Sequence, residues 1–113
     1  MENTAKATAK YIRVSPLKAS RVADLIRGKN LKEALAILKF ANTKSAREFE
    51  KVVKSAAANA ENNHSMDASK LYVCEAYANQ GPTLKRMKAL SHGQGTIIHK
   101  RSSHLSVALK ERA

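Results

Sequence analysis

Residues 5–14 (AKATAKYIRV) alternate, with Ala5, Ala7, Ala9 and Tyr11 on one side and Lys6, Thr8, Lys10 and Ile12 on the other. That is the period of a half-buried strand, and its outer side is basic. Ser15-Pro16 then makes a helix start, because Ser caps and Pro is tolerated at the first helical position. The helix predicted from there to Gly28 carries Ala19, Val22, Ala23 and Ile26 as an apolar stripe, and Gly28 suits a left-handed C-cap. Asn30 to Glu33 reads as a capping box, and Leu31, Ala34, Leu35 and Leu38 form the core face of a short second helix. A third helix opens around Asn42-Thr43 and Ser45-x-x-Glu48. Its stripe of Ala46, Phe49, Val53, Ala56, Ala57 and Ala60 is long enough for about 30 Å of helix. The small-sided run at 55–60 lets a sheet approach closely, and residues 61–67 (ENNHSMD) read as the exit loop.

Two further strands follow. Residues 71–78 (LYVCEAYA) are β-rich, and Leu105, Val107 and Leu109 alternate with His104, Ser106 and Ala108. With the N-terminal strand they predict a small three-stranded sheet. Between them, residues 83–91 and 96–103 form two arms about a glycine tip at Gly93 and Gly95, after Gly81-Pro82. Leu84, Met87, Leu90, Ile97 and Ile98 are too few to bury a second core. A dozen residues per arm would project roughly 40 Å. An isolated two-stranded ribbon is marginal in water, so its order must come from a partner; the alternative is a disordered basic loop. The predicted fold is α+β: three helices on a three-stranded antiparallel sheet, one domain over residues 1–113, with residues 80–104 as a protruding β-hairpin.

Charge turns this picture toward function. The chain has 113 residues and a net charge of +12, and 43% of it is hydrophobic, so a basic yet folded single domain is expected. Residues 1–29 carry +5, residues 30–80 carry +1 and residues 81–113 carry +6. The excess lies in the ends, and no acid occurs from residue 76 to residue 110. A solvated face normally mixes signs, so these ends are the candidate surface for a polyanion. Five scattered aromatics and no Trp make a poor platform for stacking successive bases, which favours backbone and shape recognition.

Other chemistry finds little support. Cys74 is the single cysteine, which precludes an intramolecular disulfide and suits a reducing compartment. His92, His99 and His104 match no compact zinc spacing, and His64 reads as a solvated loop residue. Ser102, Ser103 and His104 are adjacent on a strand, where neighbours face opposite ways, and no acid lies near to orient the imidazole. No phosphate-loop or dinucleotide motif occurs. No apolar run approaches the roughly 20 residues of a membrane span, and residues 1–10 lack a signal-peptide core. A DNA-reading helix-turn-helix over 15–40 is disfavoured because its second helix (NLKEALAILKF) is largely apolar. We therefore expect no catalysis, cofactor or metal. A long basic projection suits a large RNA with crevices better than a duplex surface; an architectural DNA-binding protein and a basic partner-binding module are the rivals.

The segments VADLIRGK (22–29), SAAANAENN (55–63), Gly81-Pro-Thr-Leu-Lys-Arg and KRSSH (100–104), in this order, closely resemble the bacterial large-subunit ribosomal protein L-twenty-two family over almost the whole chain. The resemblance implies a structural, non-enzymatic component of the large ribosomal subunit in the cytoplasm. It further implies binding to 23S rRNA early in assembly across several rRNA domains. The globular part would sit near the polypeptide exit and the hairpin would line the exit tunnel beside the nascent chain. Neighbours would be large-subunit proteins four, seventeen, twenty and thirty-two, with no membrane and no homo-oligomer.

Expected rRNA contacts are Lys6, Lys10 and Arg13 in the first segment, then Lys18, Arg27 and Lys29 on the first helix and its end. In the arm they are Lys85, Arg86, Lys88, His92, His99, Lys100, Arg101, Ser102, Ser103 and His104. The tip departs from the family pattern Pro-Arg-Ala-x-Gly-Arg-Ala. Leu90 and Gln94 stand where a basic residue is common, which implies fewer phosphate contacts there.

Overall fold

The computed structural model describes residues 4–89 and 95–111, with 86–89 and 96–99 described through their backbone pairing alone. The alternating N-terminal segment forms β1 (Ala5–Ile12), and the helices follow as α1 (Pro16–Ile26), α2 (Leu31–Phe40) and α3 (Lys44–His64). A single 3₁₀ turn (Ala68–Lys70) leads into β2 (Leu71–Gln80), then β3 (Leu84–Ala89), β4 (Gly95–Lys100) and β5 (Ser103–Glu111). The core sheet has the order β1-β5-β2, antiparallel throughout, and β3 pairs with β4 in a separate two-stranded ladder. Three helices on a three-stranded antiparallel sheet is the α+β architecture expected.

The helices bury the stripes their sequences carry. Ala19, Val22, Ala23 and Ile26 of α1 face the core, as do Ala34 and Leu38 of α2. In α3, Phe49, Val53, Ala56 and Ala60 are fully buried. The alanines let α3 lie close against β1, where Asn59 Nδ2 donates to the Lys6 carbonyl at 2.9 Å. Phe49 is the largest fully buried side chain, and burial of such a ring is worth about 1.5–3 kcal/mol.

Turn chemistry follows expectation at three of the four helix ends where it was read. Ser15 Oγ accepts from the Lys18 amide at 3.3 Å, and Thr43 Oγ1 accepts from the Ala46 amide at 3.1 Å. Gly28 has φ +82, a left-handed backbone that an L side chain rarely adopts. Its N–H donates to the Val73 carbonyl at 2.8 Å and the Val73 N–H returns a bond to the Lys29 carbonyl at 2.9 Å, tying the α1–α2 turn to β2. At the start of α2, however, Asn30 makes no side-chain cap bond.

Three expectations are corrected. Tyr11 does not face the core: Ala9 pairs with Leu105 and Ile12 with Ser103, so β1 carries an extra residue at a bulge. Tyr11 has φ +59 and is 64% exposed, and Ile12 takes the inward position instead. The expected exit loop begins too early, because α3 continues through Glu61 to His64. Extension of a formed helix costs little, and it stops only where Ser65 turns left-handed (φ +52). The Met66 amide then bonds the Ala60 carbonyl at 2.9 Å, and Met66 is buried. Strand β2 runs two residues further than its β-rich pattern, to Gln80, because β5 pairs with it through Ser103. Beyond it, the described ladder of the arm is six residues per strand, about 20 Å long, and residues 90–94 of the expected projection lie outside the described residues. Pro82 has no N–H to offer a ladder, and β3 starts afresh at Leu84. The Cα extents are 64 × 27 × 17 Å.

Candidate nucleic-acid interface

The sheet has one apolar face, covered by the helices, and one polar face. Lys6 and Lys10 are exposed, and Thr8 sits opposite Ser106 with hydroxyl oxygens 3.2 Å apart. On β2, Tyr77 lies at the Ser106 register position and Asn79 at that of His104. The result is an outer face of lysine, hydroxyl and aromatic groups that bears one acid, Glu75.

The root of the arm is more ordered than its composition suggests. Ser103 is fully buried and its hydroxyl donates to the Val14 carbonyl at 2.7 Å. Ser102 is 5% exposed and its hydroxyl donates to the Pro82 carbonyl, also at 2.7 Å. Both serines were expected at the RNA surface. In the structure their hydroxyls are bonded to backbone carbonyls, and they hold the root of the arm. His104 is half-buried, and its Nδ1 accepts the Tyr11 amide N–H at 3.2 Å. In a neutral ring the proton then sits on Nε2. The Tyr11 ring meets the imidazole edge-on, with centroids 5.1 Å apart.

Lys85, Lys100 and Arg101 are exposed beside this root. Arg86, Lys88 and His99 hold ladder positions opposite Ile98, Thr96 and Lys85. His92, Leu90 and Gln94 lie outside the described residues. On the other side, Arg13, Lys18 and Lys29 are exposed. Arg27 is partly committed: its guanidinium pairs with Asp24 at 2.8 Å and donates to the Ala76 carbonyl, fastening α1 to β2.

Electrostatics separate the middle from the ends. On α3, Lys51 pairs with Glu48 at 3.6 Å and Lys54 with Glu50 at 3.1 Å, so this helix compensates its own charge. Among the described residues, Lys6, Lys10, Arg13 and Lys18 have no carboxylate within ion-pair distance. No group of three or more metal-ligating side chains occurs among the described residues. Cys74 donates its thiol to the Ala108 carbonyl at 3.3 Å, and burial pushes its pKa up, the opposite of what a reactive thiolate needs.

The model of the family Ribosomal protein L22p/L17e matches residues 7–110. The chain belongs to the L22p/L17e family. A large ribosomal subunit protein uL22 of Clostridioides difficile is 59% identical over 108 residues, covering 96% of this chain and 97% of that protein. The uL22 of Clostridium perfringens is 54% identical over 109 residues, covering 96% and 98%, and that of Halothermothrix orenii is 53% identical over 108 residues, covering 96% of each.

Within this L22p/L17e chain, the reading of the sequence missed several groups. Tyr11 was assigned to the core, because no local signal marks a bulge. Arg21, Lys44 and Ser45 were passed over, yet they line one cleft with Arg13 and Lys18. The available signal was the pair of N-cap motifs at Ser15-Pro16 and Thr43, each followed closely by a lysine.

Proposed function

We propose that this L22p/L17e protein is a structural component of the large ribosomal subunit that binds 23S rRNA and performs no catalysis. The observation that carries this reading is the uncompensated pair Lys6 and Lys10 on β1, next to the Tyr11–His104 root of a ladder that pairs with no strand of the core sheet. A ribbon without a core of its own gains order by lying against a partner, and its lack of acids from residue 76 to residue 110 makes that partner a polyanion. Relatives named as large ribosomal subunit proteins support the same assignment.

The finer reading is that the globular part sits near the polypeptide exit and the hairpin lines the tunnel wall beside the nascent chain. Binding occurs early in assembly across several rRNA domains, beside large-subunit proteins four, seventeen, twenty and thirty-two. The site is in the cytoplasmic ribosome. Among the described residues, no helix is long and apolar enough to cross a membrane.

Binding to large-subunit rRNA, duplex DNA and an acidic protein, compared over a salt series, tests the assignment. Neutralising about six phosphates would give a log–log salt slope near −4 to −5 with rRNA, with much weaker binding to the other two. Equal affinity for DNA and rRNA at physiological salt contradicts the reading.

A further inference from the structure

The N-termini of α1 and α3 open into the same cleft, of about 620 Å³, which is within the range of small-ligand sites. Arg13, Lys18, Arg21 and Lys44 line it, and no acid does. Four cations converge without a counter-charge, although Glu48 and Glu50 sit one turn further along α3 and bond lysines of their own helix instead.

Each helix start adds donors. Pro16 has no N–H, so Leu17 carries the first amide of α1, while the Lys18 amide is taken by Ser15. In α3 the Ala46 amide is taken by Thr43 Oγ1 and the Arg47 amide by the Thr43 carbonyl; among the described residues, no acceptor meets the amides of Lys44 and Ser45. The hydroxyls of Ser15 and Thr43 accept from their own helices and keep their protons to donate.

Ser45 points to a ligand independently of the helix ends. It is 6% exposed and lines the cleft, and its hydroxyl has no hydrogen-bond partner among the described residues. The residue is more than nine-tenths buried, yet its hydroxyl is not sealed from solvent: it opens onto a cavity walled by cations, where it is free to donate.

We infer that this cleft is a phosphate-binding site, in which Ser45 Oγ and the two helix N-termini receive the phosphate oxygens and Arg13, Lys18, Arg21 and Lys44 neutralise them. Free amides at a helix start and the positive end of its dipole favour such an anion. The phosphate comes either from an RNA backbone or from free solution; only the first source rests on the function proposed above.

The test uses the full chain and inorganic phosphate, titrated at constant ionic strength against chloride and followed by amide NMR shifts. The site predicts saturable shifts confined to Leu17, Lys18, Lys44 and Ser45. Ser45→Ala should weaken binding about 3- to 10-fold, and Arg21→Gln or Lys44→Gln at least about 5-fold. Far-UV circular dichroism checks that each variant is folded; Ser45→Thr, which keeps the hydroxyl, should bind as wild type does. Shifts equal to those with chloride, or spread over every basic residue, overturn the site.

The RNA arm measures the salt slope with large-subunit rRNA. A backbone phosphate predicts that Arg21→Gln plus Lys44→Gln reduces the slope by about 1 to 2; an unchanged slope beside saturable phosphate shifts overturns the RNA source. Wild-type protein that binds phosphate in this way but fails to bind rRNA would remove the proposed function and leave the site standing.

Discussion

A Cβ placed on Gly81 would lie 2.7 Å from Ser102 Oγ, nearer than such atoms approach in real structures, while its next neighbours are at an ordinary 3.4 Å. Gly81 does not have a left-handed φ, so alanine suits its backbone. The whole cost of Gly81→Ala therefore falls on one hydroxyl. To escape, Ser102 must rotate and release the Pro82 carbonyl it holds at 2.7 Å. Pro82 is exposed and water can replace the hydroxyl, so the lost bond costs about 1 kcal/mol, the low end of the range for a lost partner. Crowding of the displaced side chain adds roughly 0.5–1.5 kcal/mol. Against this, replacing glycine narrows the unfolded ensemble and returns about 0.4–1 kcal/mol.

Gly81→Ala should thus destabilise the wild-type protein by about 1 kcal/mol. In a Ser102→Ala background the clash is gone and only the gain remains, so the same substitution should stabilise by about 0.5 kcal/mol. The assay is a double-mutant cycle on urea midpoints, with the slope of the transition checked for constancy. A coupling of about 1.5 kcal/mol stands well outside the ~0.3–0.5 kcal/mol scatter of independent sites. Additive effects would refute the reasoning, because they would mean that Gly81 and Ser102 do not oppose each other at the root of the arm.

Two further outcomes concern the core and its edge. Phe49→Ala should cost about 3–5 kcal/mol, because the ring is fully buried between α3 and the sheet; urea denaturation checks it, and a loss under about 1 kcal/mol would contradict the packing. The Asp67 carboxyl is held below its ordinary 3.8 by the hydroxyl and amide of Ser69, so its charge adds stability above that pH and the benefit is lost as pH falls through the lower folded value. Melting of Asp67→Asn beside wild type should show the larger gap near pH 6 and a shrinking gap below about pH 4, whereas a gap that widens in acid would contradict the assignment.

The elements were legible where one physical signal dominates. The stripes of α1 and α3, the alternation of β5 and the left-handed Gly28 each follow from local periodicity or a single conformational need. Tyr11 escaped because a bulge is a relation between two strands, and nothing in AKATAKYIRV records that Ile12 must meet Ser103. Ser102 and Ser103 look like polar surface in a basic stretch; only the fold brings the Val14 and Pro82 carbonyls to their hydroxyls. The end of α3 was misjudged for the opposite reason. ENNH is polar enough for a loop, yet it continues a helix already formed, and the stop lies in the backbone of Ser65. Charge location was readable in outline, since α3 compensates itself as its balanced composition suggested. The convergence of Arg21 and Lys44 on one cleft needed two helix starts to be brought together in space.

The central claim is that a self-supporting domain carries an arm whose order and purpose lie in its RNA. Replacing residues 83–101 with Asn-Gly tests it directly, since the Gly81 amide already bonds the Ser102 carbonyl at 2.9 Å and a tight turn can close β2 onto β5. The account predicts a melting temperature within about 3–4 °C of the full chain, a change below ~1 kcal/mol, together with at least a tenfold loss of affinity for large-subunit rRNA. Unfolding of the shortened protein, or rRNA affinity equal to that of the full chain, would contradict it.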